Sequence, residues 1–386
     1  LPRVVLKKGD EKRIRNGHLW IFSNEIIEHE CENGDIAEVF DSKKKLLGHG
    51  FYNSNSLISV RMLPEYSGDF NLYAKQKLLT AKELRAKLYP HRVSFRLVFS
   101  ESDFLPGLII DKYNSTFVLQ IYCFGMEKRI DVITEILKEE FQAENIFSLN
   151  NFRFRKPEGL PEEDTIYYGS TKDEIIDDGK LNYLIDFTSA QKTGFYFDQC
   201  DNREFIGNIC CGKVILDTFC FSGGFGMHSA KAGAAKVTFV DASQSAIKQA
   251  ECNYKLNRLH SPSEFICCNV FSFLEMQQKT GNKYGVVITD PPAFAQTKKN
   301  LRSAVKGYIR LNMLSMQVTE QGGFLVTSSC SYHLGKELFM EVISEAAAKC
   351  RKKIQLLHFA GASMDHPVIP AMNETSYLKF AVLKII

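Results

Sequence analysis

From about residue 186 to the C-terminus, strand-like apolar runs alternate with helix-like segments, and no other feature of the chain constrains its fold as strongly. The strand-like runs are 214–217, 236–240, 264–268, 284–289 and 323–327, and the helix-like segments between them are 225–232, 243–257, 270–278 and 303–318. Strands separated by helices build a parallel, doubly wound sheet, because parallel neighbours need a crossover connection. Such sheets bind ligands at the carboxyl ends of their strands. The residues that end each strand are therefore the first place to look for chemistry.

The 386-residue chain is too long for one ordinary domain, and two further regions precede this one. Residues 1–68 carry short strand-like runs such as 35–40 and 57–63, with turn signals at Asn33-Gly34 and 42–45. They read as a small β-rich barrel with one helix near 17–27, followed by a linker at Pro64-Glu65-Tyr66-Ser67-Gly68. Residues 70–185 mix the two periods and read as an α+β domain. A helix is expected over 72–89, with Leu78, Leu79, Leu84 and Leu88 at helical spacing and Pro90 stopping it. Two strand-like runs, 108–112 and 116–123, join through Tyr113-Asn114-Ser115; a helix pattern follows over 127–141 and a strand-like run over 181–187. The expected domains are thus 1–68, 70–185 and 186–386.

In the last region the run 214–217 ends in Asp217 and continues as Thr218-Phe219-Cys220-Phe221-Ser222-Gly223-Gly224-Phe225-Gly226. Glycines let a backbone approach a ligand, and the helix that follows points free N–H groups at whatever sits on the loop. About two dozen positions on, the next strand ends in Asp241, whose carboxylate can accept both hydroxyls of a ribose. A nucleoside cofactor fits this geometry. A dinucleotide site favours G-x-G-x-x-G, whereas the glycines here read G-G-x-G. A carboxylate at Asp217 repels a pyrophosphate but suits the sulfonium and amino group of S-adenosylmethionine. NAD or FAD, and a Gly-rich turn without a ligand, remain open at this point.

Three further features belong to the same strand edge. The run 284–289 ends in Asp290-Pro291-Pro292-Ala293-Phe294, a polar residue followed by a rigid extended platform. Next, the window 297–310 holds five cations, among them Lys298, Lys299 and Arg302, and no acid, a pattern suited to RNA phosphates or to a solvated helix face. The run 323–327 leads into Ser328-Ser329-Cys330-Ser331, placing a thiol there. A thiol beside a methyl donor suits one difficult reaction. Carbon 5 of cytosine is a poor nucleophile until a thiolate adds to carbon 6 and makes the ring enamine-like. Asp290 would hold the exocyclic amine and ring nitrogen of the base and stabilise that intermediate, and a base within folded RNA would have to be splayed out to reach the pocket. Cys330 and Asp290 are accordingly the candidate catalytic residues. The alternatives are methylation of an exocyclic amine such as guanine N2, which needs no thiol, and an RNA-binding protein without turnover.

The ordered set of motifs resembles the bacterial 23S ribosomal RNA (cytosine-5) methyltransferase family over nearly the whole chain. The motifs are Asn16-Gly17-His18-Leu19-Trp20-Ile21-Phe22, Glu101-Ser102-Asp103-Phe104-Leu105-Pro106-Gly107-Leu108, Lys192-Thr193-Gly194-Phe195-Tyr196-Phe197-Asp198-Gln199 with Asp201-Asn202-Arg203, then 217–225, 290–295, 328–331 and Asp365-His366-Pro367-Val368. The resemblance implies an α/β fold: a PUA RNA-binding barrel, a central α+β domain and a Rossmann-like class I methyltransferase domain. It also implies that Phe197, Asp198, Gln199 and Arg203 help enclose S-adenosylmethionine with Asp217, Phe219, Ser222, Gly223, Gly224, Asp241 and Asp290, and that Cys330 is the nucleophile. Cys200 stands where many relatives have Arg, and Asn269 where Asp is common in the adenine-contacting position. The implied partner is RNA, large-subunit ribosomal RNA in particular, with a homodimer left open.

Composition narrows the class further. A net charge of +3 gives no global nucleic-acid footprint, so any basic surface must be local. The N-terminal residues are not followed by the apolar run of a secretory signal, and the missing initiator Met suggests trimming. No stretch approaches the ~20 apolar residues of a membrane span. Eleven cysteines, without C-x-x-C spacing, fit small core residues in a reducing cytoplasm better than a disulfide framework or a zinc site.

Overall fold

The computed structural model describes residues 1–188, 193–295 and 297–386; Lys192 and the side chain of Lys298, both named above, lie outside what it describes. The chain forms two compact units. The first comprises Leu1–Ile176, Ile185–Phe197 and Met364–Thr375, and the second Asp177–Leu184, Asp198–Ser363 and Ser376–Ile386. Residues 364–375, within the last of the three expected stretches, thus pack with the first unit.

In the first unit, β1 (Arg3–Leu6), β2 (Trp20–Ile21), β3 (Ile26–His29), β4 (Ile36–Phe40), β5 (Leu46–Tyr52) and β6 (Val60–Leu63) form one sheet in the order β2-β6-β5-β4-β1-β3. All its pairings are antiparallel except β1 with β4. The strands bury Val4, Leu6, Val39, Val60 and Met62 in a shared core. The single helix here is α1 (Glu11–Arg15), which corrects the expectation of a helix near 17–27. That stretch holds β2 and a 3-10 turn at Ser23–Glu25. The aromatic and β-branched run Trp20-Ile21-Phe22 prefers extended backbone, and Trp20 and Ile21 pair with Arg61 and Val60 of β6.

A second sheet in this unit contains β7 (Phe95–Phe99), β8 (Leu108–Tyr113), β9 (Thr116–Ile121), β10 (Asn145–Ser148) and β11 (Thr165–Tyr168), in the order β11-β10-β9-β8-β7. The helices are α2 (Phe70–Leu88), α3 (Phe124–Glu127) and α4 (Ile130–Phe141). Asp69 starts α2 by accepting from the N–H groups of Asn71 and Leu72. The face that α2 buries is Phe70, Tyr73, Ala74, Leu78, Ala81 and Arg85; of the four leucines expected there, only Leu78 is buried. Arg85 takes a place on the core stripe because its charge is fully matched. Its guanidinium reaches both oxygens of Asp103 at 2.5 and 2.8 Å and donates to the carbonyls of Arg96 and Asp365. Asp103→Ala strands that buried cation and should cost about 3–5 kcal/mol, measured by urea unfolding. A loss below about 1 kcal/mol would show that water reaches the pair.

Two short strands, β12 (Glu174–Asp177) and β13 (Asn182–Ile185), follow along the chain. The second unit is built on β14 (Val214–Thr218), β15 (Lys236–Asp241), β16 (Ser263–Cys267), β17 (Tyr284–Thr289), β18 (Thr319–Ser329), β19 (Ile354–Ala360) and β20 (Lys379–Ile385). Their order is β16-β15-β14-β17-β18-β20-β19, parallel throughout except for β20. Its helices are α5 (Cys200–Cys210), α6 (Gly224–Lys231), α7 (Gln244–Leu256), α8 (Val270–Thr280), α9 (Leu301–Val318) and α10 (Lys336–Lys349). The expected strands and helices of this region are all present. The central strands are continuous apolar runs because both faces are covered; Ile215, Leu216, Val286, Val287, Ile288 and Leu325 are fully buried. From β14 the chain winds outward to β15 and β16, and then returns to add β17 on the other side. That reversal opens a crevice at the carboxyl ends of β14 and β17. Asp217 and Asp290 stand at those two strand ends. Among the described residues no helix is long and apolar enough to cross a membrane.

Candidate active site at the carboxyl edge of the sheet

Asp217 is the most deeply placed of the candidates, with 1% of its surface exposed. One carboxylate oxygen accepts the Gly226 N–H at 2.8 Å, and the other has no hydrogen-bond partner. Burial pushes its pKa up to about 7; the Gly226 N–H pulls it down, and the nearby Asp290 carboxylate pushes it higher. A buried carboxylate oxygen without a donor suits a cation or N–H group. The amino and sulfonium groups of S-adenosylmethionine fit it, and a pyrophosphate does not.

The loop after β14 is held in an uncommon shape. Phe219 and Phe221 both have positive φ, at 57° and 48°, and Gly223 follows at 84°. Only glycine adopts that region freely, so the two phenylalanines carry backbone strain. Asp241, at the end of β15, offsets part of it by accepting the Phe221 N–H at 3.0 Å, while its other oxygen accepts the Ser243 N–H at 2.9 Å. Each oxygen keeps a lone pair for a ribose hydroxyl. Ser222 is buried, and its carbonyl accepts from Asn253 at 3.2 Å. Gly224 opens α6 against the buried Arg203; a Cβ there would lie 2.6 Å from the Arg203 Nε. Arg203 also lies over the Phe225 ring, and the negative charges around it, including Asp178 and Asp198, outweigh burial and raise its pKa. It is thus a fixed cation at the root of the loop.

Asp290 caps β17 and accepts from Ser328 Oγ of β18 at 2.5 Å. Burial raises its pKa, opposed by the Ser328 hydroxyl and by the Gln199 amide, and reinforced by the Asp198 carboxylate. Asp198, Gln199, Arg203, Asp217 and Asp290 therefore share one electrostatic neighbourhood. Asp198 is anchored there by the Tyr377 hydroxyl, which donates to it at 2.5 Å, and Gln199 by Asn202, which donates to its side-chain oxygen at 2.7 Å. Phe197 belongs to the first unit, where it is buried with its ring 5.2 Å from Tyr113 and 5.0 Å from Phe195. Asn269 is exposed, and its side-chain oxygen is engaged in capping α8 through the Ser272 N–H at 3.2 Å.

Cys330 follows β18 directly and is partly exposed. Its neighbour Ser331 fixes the turn: the Ala295 N–H donates to Ser331 Oγ at 3.3 Å, and Tyr308 OH lies 3.0 Å from it. This ties the thiol segment to the Pro291-Pro292 platform and to α9. Lys379, paired across the strands with Ser329, is buried and donates to the carbonyls of Ser331 and Tyr377, both at 2.7 Å. Burial lowers its pKa to about 8, and the Cys330 thiol, as a negative charge, opposes that shift. Ser328 and Lys379 were not anticipated from sequence. The one available signal was a lysine inside the apolar run 378–383, where only a paired or functional charge is tolerated.

The basic window lies on the 3-10 turn Lys298–Asn300 and the exposed side of α9. Lys299, Arg302 and Lys306 are exposed, whereas Arg310 is paired with Glu275 at 2.5 Å.

Known proteins match this architecture. The PUA-like domain family matches residues 4–64, and the S-adenosylmethionine-dependent methyltransferase family matches residues 166–384. The ribosomal RNA large subunit methyltransferase I of Aeromonas hydrophila is 36% identical, over 99% of this chain and 98% of that protein. The protein of the same name from Photobacterium profundum is 34% identical over 97% of each. Among solved structures, a methyltransferase-type protein complexed with SAH superposes with a TM-score of 0.87 at 18% identity, covering 99% of both chains, which speaks for the fold. S-adenosylmethionine is therefore the cofactor. The chain belongs to the S-adenosylmethionine-dependent methyltransferase family, alongside the ribosomal RNA large subunit methyltransferase I proteins that it resembles over nearly its full length.

Proposed function

We propose that the protein methylates carbon 5 of a cytosine in large-subunit ribosomal RNA, with Cys330 as covalent nucleophile and Asp290 as the group that holds the base. The observation that carries this reading is a partly exposed thiol, next to a buried lysine, at the same strand edge as Asp290. The names of the near-full-length relatives support ribosomal RNA as the substrate. The three-domain division, the enclosing roles of Phe197, Asp198, Gln199, Arg203 and Asn269, and a cytoplasmic location belong to the same proposal.

S-adenosylmethionine supplies an electrophilic methyl group. Asp217, Asp241 and the loop hold it by charge and hydrogen bonds. The Cys330 thiolate adds to carbon 6 of the cytosine, which makes carbon 5 nucleophilic. Asp290, fixed by the Ser328 hydroxyl, holds the exocyclic amine and ring nitrogen of the base and stabilises the intermediate. After methyl transfer, loss of the carbon-5 proton and expulsion of the thiolate restore the ring.

The test is to incubate unmodified ribosomal RNA with isotopically labelled S-adenosylmethionine and map the product. Label at cytosine carbon 5 supports the reading. Label on guanine N2 would replace it with the exocyclic-amine chemistry, and cofactor binding without turnover on any RNA would leave only an RNA-binding role.

Two further outcomes follow from the side chains. Lys379→Met removes the ammonium that favours the Cys330 thiolate. Alkylation of Cys330 by iodoacetamide at neutral pH should slow by about tenfold relative to the exposed Cys267 in the same chain. An unchanged ratio would show that Lys379 does not act on the thiol. Charge reversal at Lys298, Lys299 and Arg302 should weaken RNA binding and flatten the plot of log affinity against log salt by about 2, the share of three lost contacts to a single strand. An unchanged slope would remove this surface from the RNA interface.

A further inference from the structure

Two of the motifs in the chain, around Trp20 and around Glu101, take no part in the methyl-transfer site. In the first unit they meet at a cavity of about 460 Å³, within the range typical of small-molecule sites. Its walls come from β2, the 56–61 stretch, the 99–109 stretch, the 154–158 turn and residues 372–375. Its centre is a buried polar cluster. Glu101 accepts from Trp20 Nε1 and from Arg61 Nη1, both at 2.8 Å, and also from the Ser100 hydroxyl. Arg61 reaches Glu158 at 3.0 Å through its other terminal nitrogen.

Three features separate this cluster from a purely structural ion pair. First, its hydrogen bonding is incomplete. Ser102 Oγ and Arg61 Nε have no partner, although these residues are only 9% and 7% exposed and both line the cavity. Buried polar groups are rarely left that way without a ligand or water. Second, the lining carries three carboxylates, Glu101, Glu158 and Glu374, against one guanidinium, so a phosphate is repelled. Burial alone would raise the Glu101 pKa, but Arg61 and the Ser100 and Trp20 donors hold it below the ordinary carboxylate range, so it is an acceptor at neutral pH. Third, two large apolar side chains of the lining face solvent: Leu57 is 78% exposed and Phe154 is 59% exposed. The turn that carries Phe154 also carries the exposed Arg153 and Lys156.

We propose that this cavity binds an unpaired cytosine or guanine base of the RNA, a contact distinct from the base that is methylated. The proposal rests on the RNA-substrate reading. Planar, apolar walls including Trp20, Phe99 and Tyr122 suit a base, as single-stranded RNA recognition commonly does. Glu101 accepts from an exocyclic amine, the unpartnered Arg61 Nε donates to a ring carbonyl, and Ser102 serves either group. Cytosine and guanine carry both an amine and a carbonyl; uracil lacks the amine. Arg153 and Lys156 stand on the same turn for the flanking phosphates.

The chain has a single tryptophan, and it lines this cavity, so its fluorescence reports occupancy. The probes are cytidine and uridine hexanucleotides, which share a backbone. The full-length protein should show Trp20 quenching by the cytidine hexamer with an affinity about tenfold above that for the uridine hexamer. Ile109→Phe, a partly exposed cavity-lining position, should fill the space and abolish the preference while S-adenosylmethionine binding and thermal unfolding stay unchanged. Equal binding of the two hexamers, or a preference that survives Ile109→Phe, overturns the inference. So does the absence of any quenching in a protein that still methylates ribosomal RNA, and that result leaves the enzymatic reading standing. Hexamer discrimination in a protein that never methylates RNA supports the cavity and sinks the enzymatic reading.

Discussion

Cys330→Ala should abolish methyl transfer to RNA, lowering turnover by roughly 10⁴-fold or more, while S-adenosylmethionine binding stays within about twofold of wild type. The size of the loss follows from the chemistry: without a nucleophile at carbon 6, carbon 5 of cytosine has no path to attack a methyl group. The specificity follows from the environment of the thiols. Burial pushes Cys123 and Cys210 up to about 11 and raises Cys220 well above the ordinary thiol range, so these are inert core residues. Cys330 is partly exposed, at a strand end, with the buried Lys379 bonded to the adjacent carbonyl. Cys267→Ala, at an exposed cysteine on the end of β16, should leave turnover unchanged. Rapid-quench assays with labelled cofactor separate the two. Turnover within tenfold of wild type in Cys330→Ala would remove the covalent step.

Asp217→Asn should weaken cofactor binding by about 10–100-fold, the range expected when a charge-assisted hydrogen bond of ~1.5–3 kcal/mol is lost. It should also change the pH dependence. The Asp217 carboxyl is held near 7 by burial, with Asp290 and Asp241 raising it and Arg203 lowering it. A cationic ligand needs the ionised form, so wild-type affinity should rise as pH increases through about 7, with a proton released on binding. The stability of the free protein runs the other way. A carboxyl whose folded pKa lies above its unfolded value contributes stability that is complete below about 4 and is lost as pH rises through 7. Calorimetric titration between pH 6 and 8 checks both parts. A pH slope that persists in Asp217→Asn would assign it to another group.

The readable parts of the chain were those written in local pattern. The alternation after residue 186 gave the order of strands and helices, because a parallel strand and its crossover helix each carry a complete hydrophobic period within about ten residues. The Gly223-Gly224 loop, Asp241, Asp290 and Cys330 fall at or just after strand ends, which glycine and proline punctuation marks locally. What sequence pattern missed depends on pairing across distance. Arg85 looks like a surface residue until Asp103 is placed against it. Phe219 and Phe221 give no hint of positive φ, since the shape is imposed by bonds to Asp241 and Val240. The strands β7, β10 and β11 are short runs whose place is fixed by pairing with β8, β9 and β10 respectively. The helix placed near 17–27 was lost to pairing with β6, forty residues downstream.

The most direct test of the central claim is to trap the covalent step. RNA carrying 5-fluorocytosine at the target position cannot lose a proton from carbon 5, so a thiolate that has added to carbon 6 is retained after methyl transfer. Peptide mass spectrometry of protein incubated with this RNA and S-adenosylmethionine should find the nucleotide bonded to Cys330. Efficient methylation of the unfluorinated RNA at a cytosine, with no adduct at Cys330 from the fluorinated one, would contradict the account.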